Sequence, residues 1–307
     1  MSYADVLFKK MCEDIIENGT TTKGQEVRPI WPDTGEKAYT IKQFGVVNRY
    51  DLRKEFPAIT FRRTGIKSAM DEILWIFQRK SNNIKELAPH IWDEWADENG
   101  SIGKAYGYQI GQSYKHHKAN LTNNELKELV DYPSAYISGL DNMCKMDQID
   151  AVLYDLKHTP FSRRIMTSIW NFNDLSEMNL QPCCWSCTFN VTDEGGDKLV
   201  LNMVLNQRSN DILAANNWNV CQYALLLMMV AQVSNMEAGV LLHTIADAHI
   251  YDRHVDIIKE LITRPMYDAP IVKLNPEVKD FYKFTTDDLI IENYITGVQV
   301  KNIPIAV

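Results

Sequence analysis

No stretch of this 307-residue chain is apolar for long enough to cross a bilayer. The longest run, "YALLLMMVAQV" at 223–233, is about half of what a spanning helix needs. The opening residues, "MSYADVLFKKMCEDIIENG", lack a basic segment followed by an apolar one. That argues against a secretory leader and makes a cytoplasmic protein with reduced cysteines and no membrane partner the expectation. Positive charge is in short supply too. Lys and Arg number 32 against 40 Asp and Glu, a net charge of −8, which speaks against a broad nucleic-acid surface. A small anionic ligand stays open, because a few local arginines suffice for one. Internal repeats and low-complexity tracts are missing as well.

What is there is ordinary globular material, 45% hydrophobic and 23% charged, enough for a sizeable core without disulfides. Residues 4–17 read as an amphipathic helix stopped at Asn18-Gly19, and "SAMDEILWIFQ" (68–78) as a second helix. Residues 20–38 read as an extended loop. Residues 110–158 are polar and helical in character, with "LTNNELKELV" as a capped helix start, and read as a small helical lobe rather than a separate domain. From Arg163 the texture turns to strand: "RRIMTSIW", "CTFNV", a "TDEGGD" turn and the return strand "KLVLNMVLNQ". "NVCQYALLLMMVAQV" is too long and Met/Leu-rich for a strand and reads as a buried helix. "EAGVLLHTIADAHIY" reads as a strand, "DRHVDIIKELITRP" as a helix, and "APIVKL" and "DLIIENYIT" as later strands. The mixture lacks a regular alternation, which favours an α+β class.

Three of the six cysteines fall within "LQPCCWSCTFNV" (180–191). Cys184 and Cys187 have Cys-x-x-Cys spacing, but the segment continues as strand, where residues three apart face opposite sides, poor geometry for a redox pair. A zinc site would need a second ligand pair. Cys12, Cys144 and Cys221 are scattered, with no histidine at finger spacing from the pair. Buried apolar packing is the plain reading for Cys12, Cys144, Cys187 and Cys221. Cys183 stands apart. Pro182 fixes the backbone before it, and the return strand brings Arg208 and Ser209 of "NQRSND" back towards it. Arg163 and Arg164 open the preceding strand. Cationic surroundings raise the thiolate fraction a nucleophile needs, so Cys183 is a candidate reactive thiol beside an anion site.

At this point the residues resemble the thymidylate synthase family over nearly the whole of 1–307. The matching stretches are "DEILWIFQ", "IWDEWADENG", "YGYQ", "SRRIMTSIWN", "PC" at 182–183, "QRSNDILAANNWN", "DAHIYDRHVD" and the terminal "IPIAV". The resemblance implies one large α+β domain with a mixed sheet core flanked by helices, the sheet packing at a homodimer interface. It implies methylation of dUMP to dTMP, with 5,10-methylenetetrahydrofolate as co-substrate and neither metal nor nucleic acid required. Cys183 would be the nucleophile. Arg28, Arg163, Arg164, Gln207, Arg208 and Ser209 would hold the nucleotide, Arg163 and Arg164 crossing from the partner subunit so that sites are shared. Asn219 would read the pyrimidine edge, and His249 with Tyr251 would meet the deoxyribose hydroxyl. Glu72, whose apolar flanks suggest burial, would relay protons, Tyr106 would help remove the carbon 5 proton, and Asp211 would meet the pterin. Ile91, Trp92, Trp95, Trp218 and Ala306 would lie on the folate side.

The chain departs from the family pattern at three places. Cys184 follows the nucleophile where histidine is common, Ala214-Ala215 stand for Leu-Gly, and "NWN" stands for "PFN". Two rivals remain open. A deoxyuridylate or deoxycytidylate hydroxymethylase of the same fold would keep the thiol chemistry. A non-catalytic nucleotide- or RNA-binding regulator would need none of Cys183, Glu72 and Tyr106.

Overall fold

Apolar residues three and four apart give the first helix, α1 (Tyr3–Asn18), a stripe of Ala4, Phe8, Met11, Cys12 and Ile15 that faces the core. The structure, a computed structural model, describes residues 1–88, 92–119 and 127–307. Its further helices are α2 (Ile66–Phe77), the single turn α3 (Gly107–Ile110), α4 (Gln148–His158), α5 (Asn216–Val233) and α6 (Val255–Leu261). The strands run β1 (Thr20–Thr21), β2 (Thr40–Asp51), β3 (Tyr114–Lys118), β4 (Tyr136–Ile137), β5 (Met143–Met146), β6 (Met166–Ser168), β7 (Cys184–Thr192), β8 (Val200–Gln207), β9 (Asn210–Asp211), β10 (Glu237–Tyr251), β11 (Ile271–Leu274) and β12 (Leu289–Glu292).

Seven of these strands form one mixed sheet in the order β1-β2-β10-β8-β7-β6, with β9 beside β10. The β7–β8 pair is antiparallel, whereas β8 and β10 are parallel. Parallel neighbours need a crossover, and α5 supplies it. Thirteen of the eighteen residues of α5 are buried, most of them apolar, because it lies between α2 and the sheet. This α+β arrangement is the one the sequence implies.

Three local expectations change. Residues 110–158 are not a helical lobe. Among the described residues, α3, Lys127–Glu128, α4 and short turns are helical there, while β3, β5 and β4 form an antiparallel sheet. Its strands are too short and polar to show a period, yet Cys144 and Met146 alternate inward onto Leu129 and Ala151 in a small second core. The helix start read in "LTNNELKELV" lies mostly outside the described residues. The stretch 40–51, with no element expected, is the long strand β2. Phe44 (89% exposed) and Val47 (58%) point to solvent, so its alternation does not show in the sequence. Finally, the loop 20–38 is tethered at its start and its middle: β1 pairs with β2, and Ile30 exchanges two backbone hydrogen bonds with Val307 at the C-terminus.

The Cys-x-x-Cys argument also needs correcting. A β-bulge falls between Cys184 and Ser186, so Cys184 faces Gln207 while Cys187 faces Leu205. Partners two residues apart mean that the two cysteines share one face, not opposite faces. Both are buried and both are free thiols.

Candidate active site

Cys183 sits one residue before β7, where the β7–β8 ladder continues: its carbonyl accepts from Arg208 N at 2.9 Å. The Arg208 side chain folds back over the same turn. Its Nε donates to Pro182 O (2.9 Å) and its Nη2 to Gln181 O (2.8 Å), which leaves Nη2 3.9 Å from Cys183 Sγ. Backbone carbonyls thus hold a cation against the thiol. Burial pushes the Cys183 thiol up from its ordinary value, and Arg208 and Arg28 pull it back in part. On the other side, Cys183 N donates to Tyr106 Oη at 3.3 Å. Tyr106 has φ 47°, an uncommon backbone region for a bulky residue. Gly107, which follows it, packs so closely on Ser81 that a Cβ would lie 2.2 Å from the Ser81 carbonyl oxygen. Tyr106 also meets the Trp92 ring edge-on at 4.8 Å.

Glu72 projects from α2 into the core and is only 4% exposed. Burial pushes its carboxyl up to about 7, although Gln222, Trp218 and Trp92 each work against the rise. Trp218 Nε1 donates to Glu72 Oε2 at 2.8 Å. A carboxyl held near neutrality can give or take a proton at working pH.

Asn219 is held by a chain of hydrogen bonds whose polarity a backbone group dictates. Ser209 O can only accept, so the Gln207 atom 3.0 Å from it is Nε2. The same nitrogen donates to Asn219 Oδ1 at 3.1 Å, so Asn219 Nδ2 faces Gln222 Oε1, 3.0 Å away. At the far end, Gln207 Oε1 lies 2.7 Å from His243 Nε2. His243 is fully buried and its proton affinity falls to about 3 through desolvation, so a neutral ring donates there. Asn219 is therefore fixed with its oxygen at one place and its nitrogen at another. His243 and Gln222 were missed in the sequence. The available signal was a polar residue, His243, on the inward parity of Leu241 and Ile245 in an apolar strand.

That fixed amide can accept from a uracil N3–H and donate to O4, whereas cytosine presents the reverse order. An aspartate at 219 would also set an oxygen against Gln222 Oε1. Replacing Asn219 with Asp is expected to lower kcat/KM for deoxyuridylate by one to two decades for each polar group left unsatisfied, about 1–3 kcal/mol apiece. It is expected to bring measurable reaction with deoxycytidylate. Steady-state kinetics with both nucleotides check this; an unchanged uracil preference would refute it.

The remaining expected site residues separate into those the fold gathers and those it does not. Asp211 accepts from the backbone N–H groups of Leu213 and Ala214, each at 3.0 Å. Burial drives its carboxyl up, but His254, His249 and the Ala214 N–H more than offset this, so it stays below the usual range. His254 was not singled out in the sequence. It lies 3.4 Å from Asp211 through Nδ1 and 2.7 Å from Pro304 O through Nε2, joining that carboxylate to the C-terminal segment. His249 bonds Asp247 at 2.9 Å and packs on Tyr251. Burial pushes the Tyr251 hydroxyl up to about 12, with Asp211, Arg28 and Cys183 all in electrostatic reach of it. Arg28 is thus brought to the cysteine by the loop that pairs with Val307, the neighbour of the half-buried Ala306. Trp95 packs against Trp92 at 6.0 Å. Ile91 lies outside the described residues. Arg163 and Arg164 are exposed and do not figure among the charges that act on Cys183 of their own chain. Among the described residues no cluster of His, Cys, Asp or Glu is arranged to hold a metal ion.

Comparison with known proteins decides the family. The profile of the thymidylate synthase family matches residues 6–307. The chain is 37% identical over 300 residues to the thymidylate synthase of Bacillus phage phi3T, covering 97% of each chain. It is 36% identical to thymidylate synthase 1 of Bacillus subtilis (strain 168), again over 97% of each. The solved structure of a thermostable thymidylate synthase A from Bacillus subtilis superposes with a TM-score of 0.84 at 36% identity, covering 99% of each chain. The chain belongs to the thymidylate synthase family.

Cys184 is 4% exposed, and burial pushes its thiol well above the ordinary value, with Cys183, Cys187 and Glu72 adding to the rise. Burial thus disfavours its thiolate, and it offers no imidazole beside Cys183. Trp218 departs from expectation: its indole nitrogen is spent on Glu72, 146 residues away in sequence.

Proposed function

We propose that this chain carries out the family reaction, reductive methylation of dUMP to dTMP, with Cys183 as the covalent nucleophile. The observation that carries the assignment is the Arg208 guanidinium, clamped by carbonyls 3.9 Å from the only partly exposed cysteine thiol. The thiolate adds to carbon 6 of the uracil ring, and the electron pair of the 5,6 double bond moves to give an enolate, making carbon 5 nucleophilic. Asn219 Nδ2 donates towards oxygen 4, where the charge develops. Glu72 moves a proton at that oxygen, and Tyr106 assists removal of the proton from carbon 5. Arg208, Arg28 and Ser209 of the same chain hold the phosphate, Arg–phosphate pairs being strong and directional. His249 and Tyr251 meet the sugar hydroxyl.

5,10-Methylenetetrahydrofolate supplies the one-carbon unit and the hydride, leaving as dihydrofolate. The residues present fit a reduced folate: Trp92 and Trp95 pack edge-on beside Tyr106 as an aromatic wall, and Asp211 offers an ionised carboxylate to a pterin. The hydroxymethylase reading is not favoured, because the named relatives are thymidylate synthases, and an asparagine at 219 speaks further against the deoxycytidylate version. A regulator without catalysis would leave the thiol–cation pair and the near-neutral carboxyl without a use.

The working unit is a homodimer that shares its active sites, acting in the cytoplasm. Two features support this reading. Arg163 and Arg164 are exposed and not among the charges acting on their own Cys183, and one face of the large sheet leaves Val47 and Met166 uncovered, apolar area suited to a second copy. Arg163→Ala and Cys183→Ala homodimers, each inactive, are mixed and allowed to exchange subunits. A hybrid has one doubly defective site and one intact site, so dihydrofolate formation, followed optically, should reappear. No recovery after proven exchange would place the arginines in their own chain's site.

A further inference from the structure

Three side chains with N–H donors surround the buried Glu72 carboxylate, and their roles are unequal. Among the described residues only Trp218 closes a hydrogen bond, from Nε1 to Oε2 at 2.8 Å. Trp92 Nε1 and Gln222 Nε2 are buried and, among the described residues, stand outside close hydrogen-bond geometry, though both also act on the carboxylate to lower its proton affinity. Trp218 is also fixed at its other edge. Gly65, at the start of α2, has no side chain, and a Cβ built there would stand 3.3 Å from the indole Cζ3. Residues 65 and 72 share one face of that helix two turns apart, so the indole lies along α2 from the bare glycine to the carboxylate.

We propose that Trp218 is a positioning residue for proton transfer by Glu72, its indole N–H fixing one carboxylate oxygen so that the other is presented to the reacting pyrimidine. The inference rests on the reading of Glu72 as the proton-relay group. It assigns Trp218 to the catalytic carboxylate rather than to the folate wall. The electrostatics agree. A neutral N–H donor favours the ionised form, while the other ionisable groups in reach, Asp71, Tyr106, Cys184 and Tyr223, are all acidic. Tyr106, Cys184 and Tyr223 are pushed well above their ordinary values by burial and stay uncharged across neutral pH. Trp218 therefore works, together with Gln222 and Trp92, against a proton affinity that burial raises, and it is the one of the three whose N–H closes a 2.8 Å bond to a single carboxylate oxygen.

The test is Trp218→Phe, which keeps an aromatic ring against Gly65 and deletes the donor. In the pH profile of kcat, the ionisation that Glu72→Gln erases should move upward by roughly one to two units, the size of one hydrogen bond to a charged group. KM for both nucleotide and folate should stay within about twofold. A folate-wall role would instead raise the folate KM and leave the profile in place, and that result would overturn the proposal. A readout independent of activity is the infrared difference band of the protonated carboxyl that is absent from Glu72→Gln. It should titrate at higher pH in Trp218→Phe, and an unmoved titration would equally overturn the proposal. If Glu72→Gln leaves the wild-type kcat profile unchanged, the reading of Glu72 fails and the Trp218 assignment falls with it.

Discussion

Replacing Cys183 with Ala is expected to remove turnover altogether, a loss of at least about four orders of magnitude in kcat, because the carbon 5 nucleophile exists only after the thiolate has added at carbon 6. Its two neighbours in sequence should behave differently. Cys184→Ala and Cys187→Ala should keep much of the activity. Both thiols are buried in the sheet, and desolvation pushes Cys187 up to about 12 and Cys184 well above its ordinary value. Neither has the arginine that Cys183 has. The comparison is the rate of dihydrofolate formation at saturating deoxyuridylate and methylenetetrahydrofolate. A Cys183→Ala protein that still turned over would assign the nucleophile elsewhere.

Glu72→Gln should be nearly inactive and, at alkaline pH, more stable than the wild type. Burial raises the carboxyl from an ordinary 4.5 to about 7 in the folded protein. A folded state that holds the proton more tightly than the unfolded chain is favoured below pH 4.5 and loses that advantage as the pH climbs through 7. The difference of about 2.5 units corresponds to about 3 kcal/mol, lost between roughly pH 4.5 and pH 7. Glutamine keeps an oxygen to accept from Trp218 and has no proton to lose. Urea unfolding at fixed protein concentration should therefore give similar midpoints for both proteins near pH 5. At pH 8 the variant should lead by up to that amount. Equal midpoints at pH 8 would mean that the carboxyl ionises without strain and is not poised for proton transfer. Stability given up at a working group is common in enzyme sites.

How much of this was legible in the sequence depends on where burial is one-sided. The long helix α5 and the β7–β8 hairpin were readable because their apolar residues follow the burial they obey. β2 was not, since Phe44 and Val47 face solvent and blur the alternation. β3 and β5 were hidden by shortness and polarity, and only the small core around Met146 reveals their register. The parity of Cys184 and Cys187 could not be read at all, because one bulged residue at Trp185 reverses it and carries no sequence mark. At the site, the thiol and a nearby cation were readable from Pro182-Cys183 and Arg208, while every finer role came through family resemblance. The orientation of Asn219 needed space: it depends on Gln207, Gln222 and His243, which meet only when β8, α5 and β10 are assembled. Trp218 shows the limit most clearly, for the family resemblance put it on the folate side and its indole nitrogen went to Glu72.

The central claim is that Cys183 attacks carbon 6 of the pyrimidine. The most direct measurement incubates the protein with 5-fluorodeoxyuridylate and methylenetetrahydrofolate. Fluorine at carbon 5 cannot leave as a proton would, so the covalent complex is trapped, and peptide mass spectrometry then locates the added mass. The mechanism predicts one adduct, on the peptide spanning Gln181 to Cys187, fragmenting to Cys183 and absent from Cys183→Ala. An adduct on Cys184, on Cys187 or on any other residue, or no adduct in a protein that forms dihydrofolate, would contradict it.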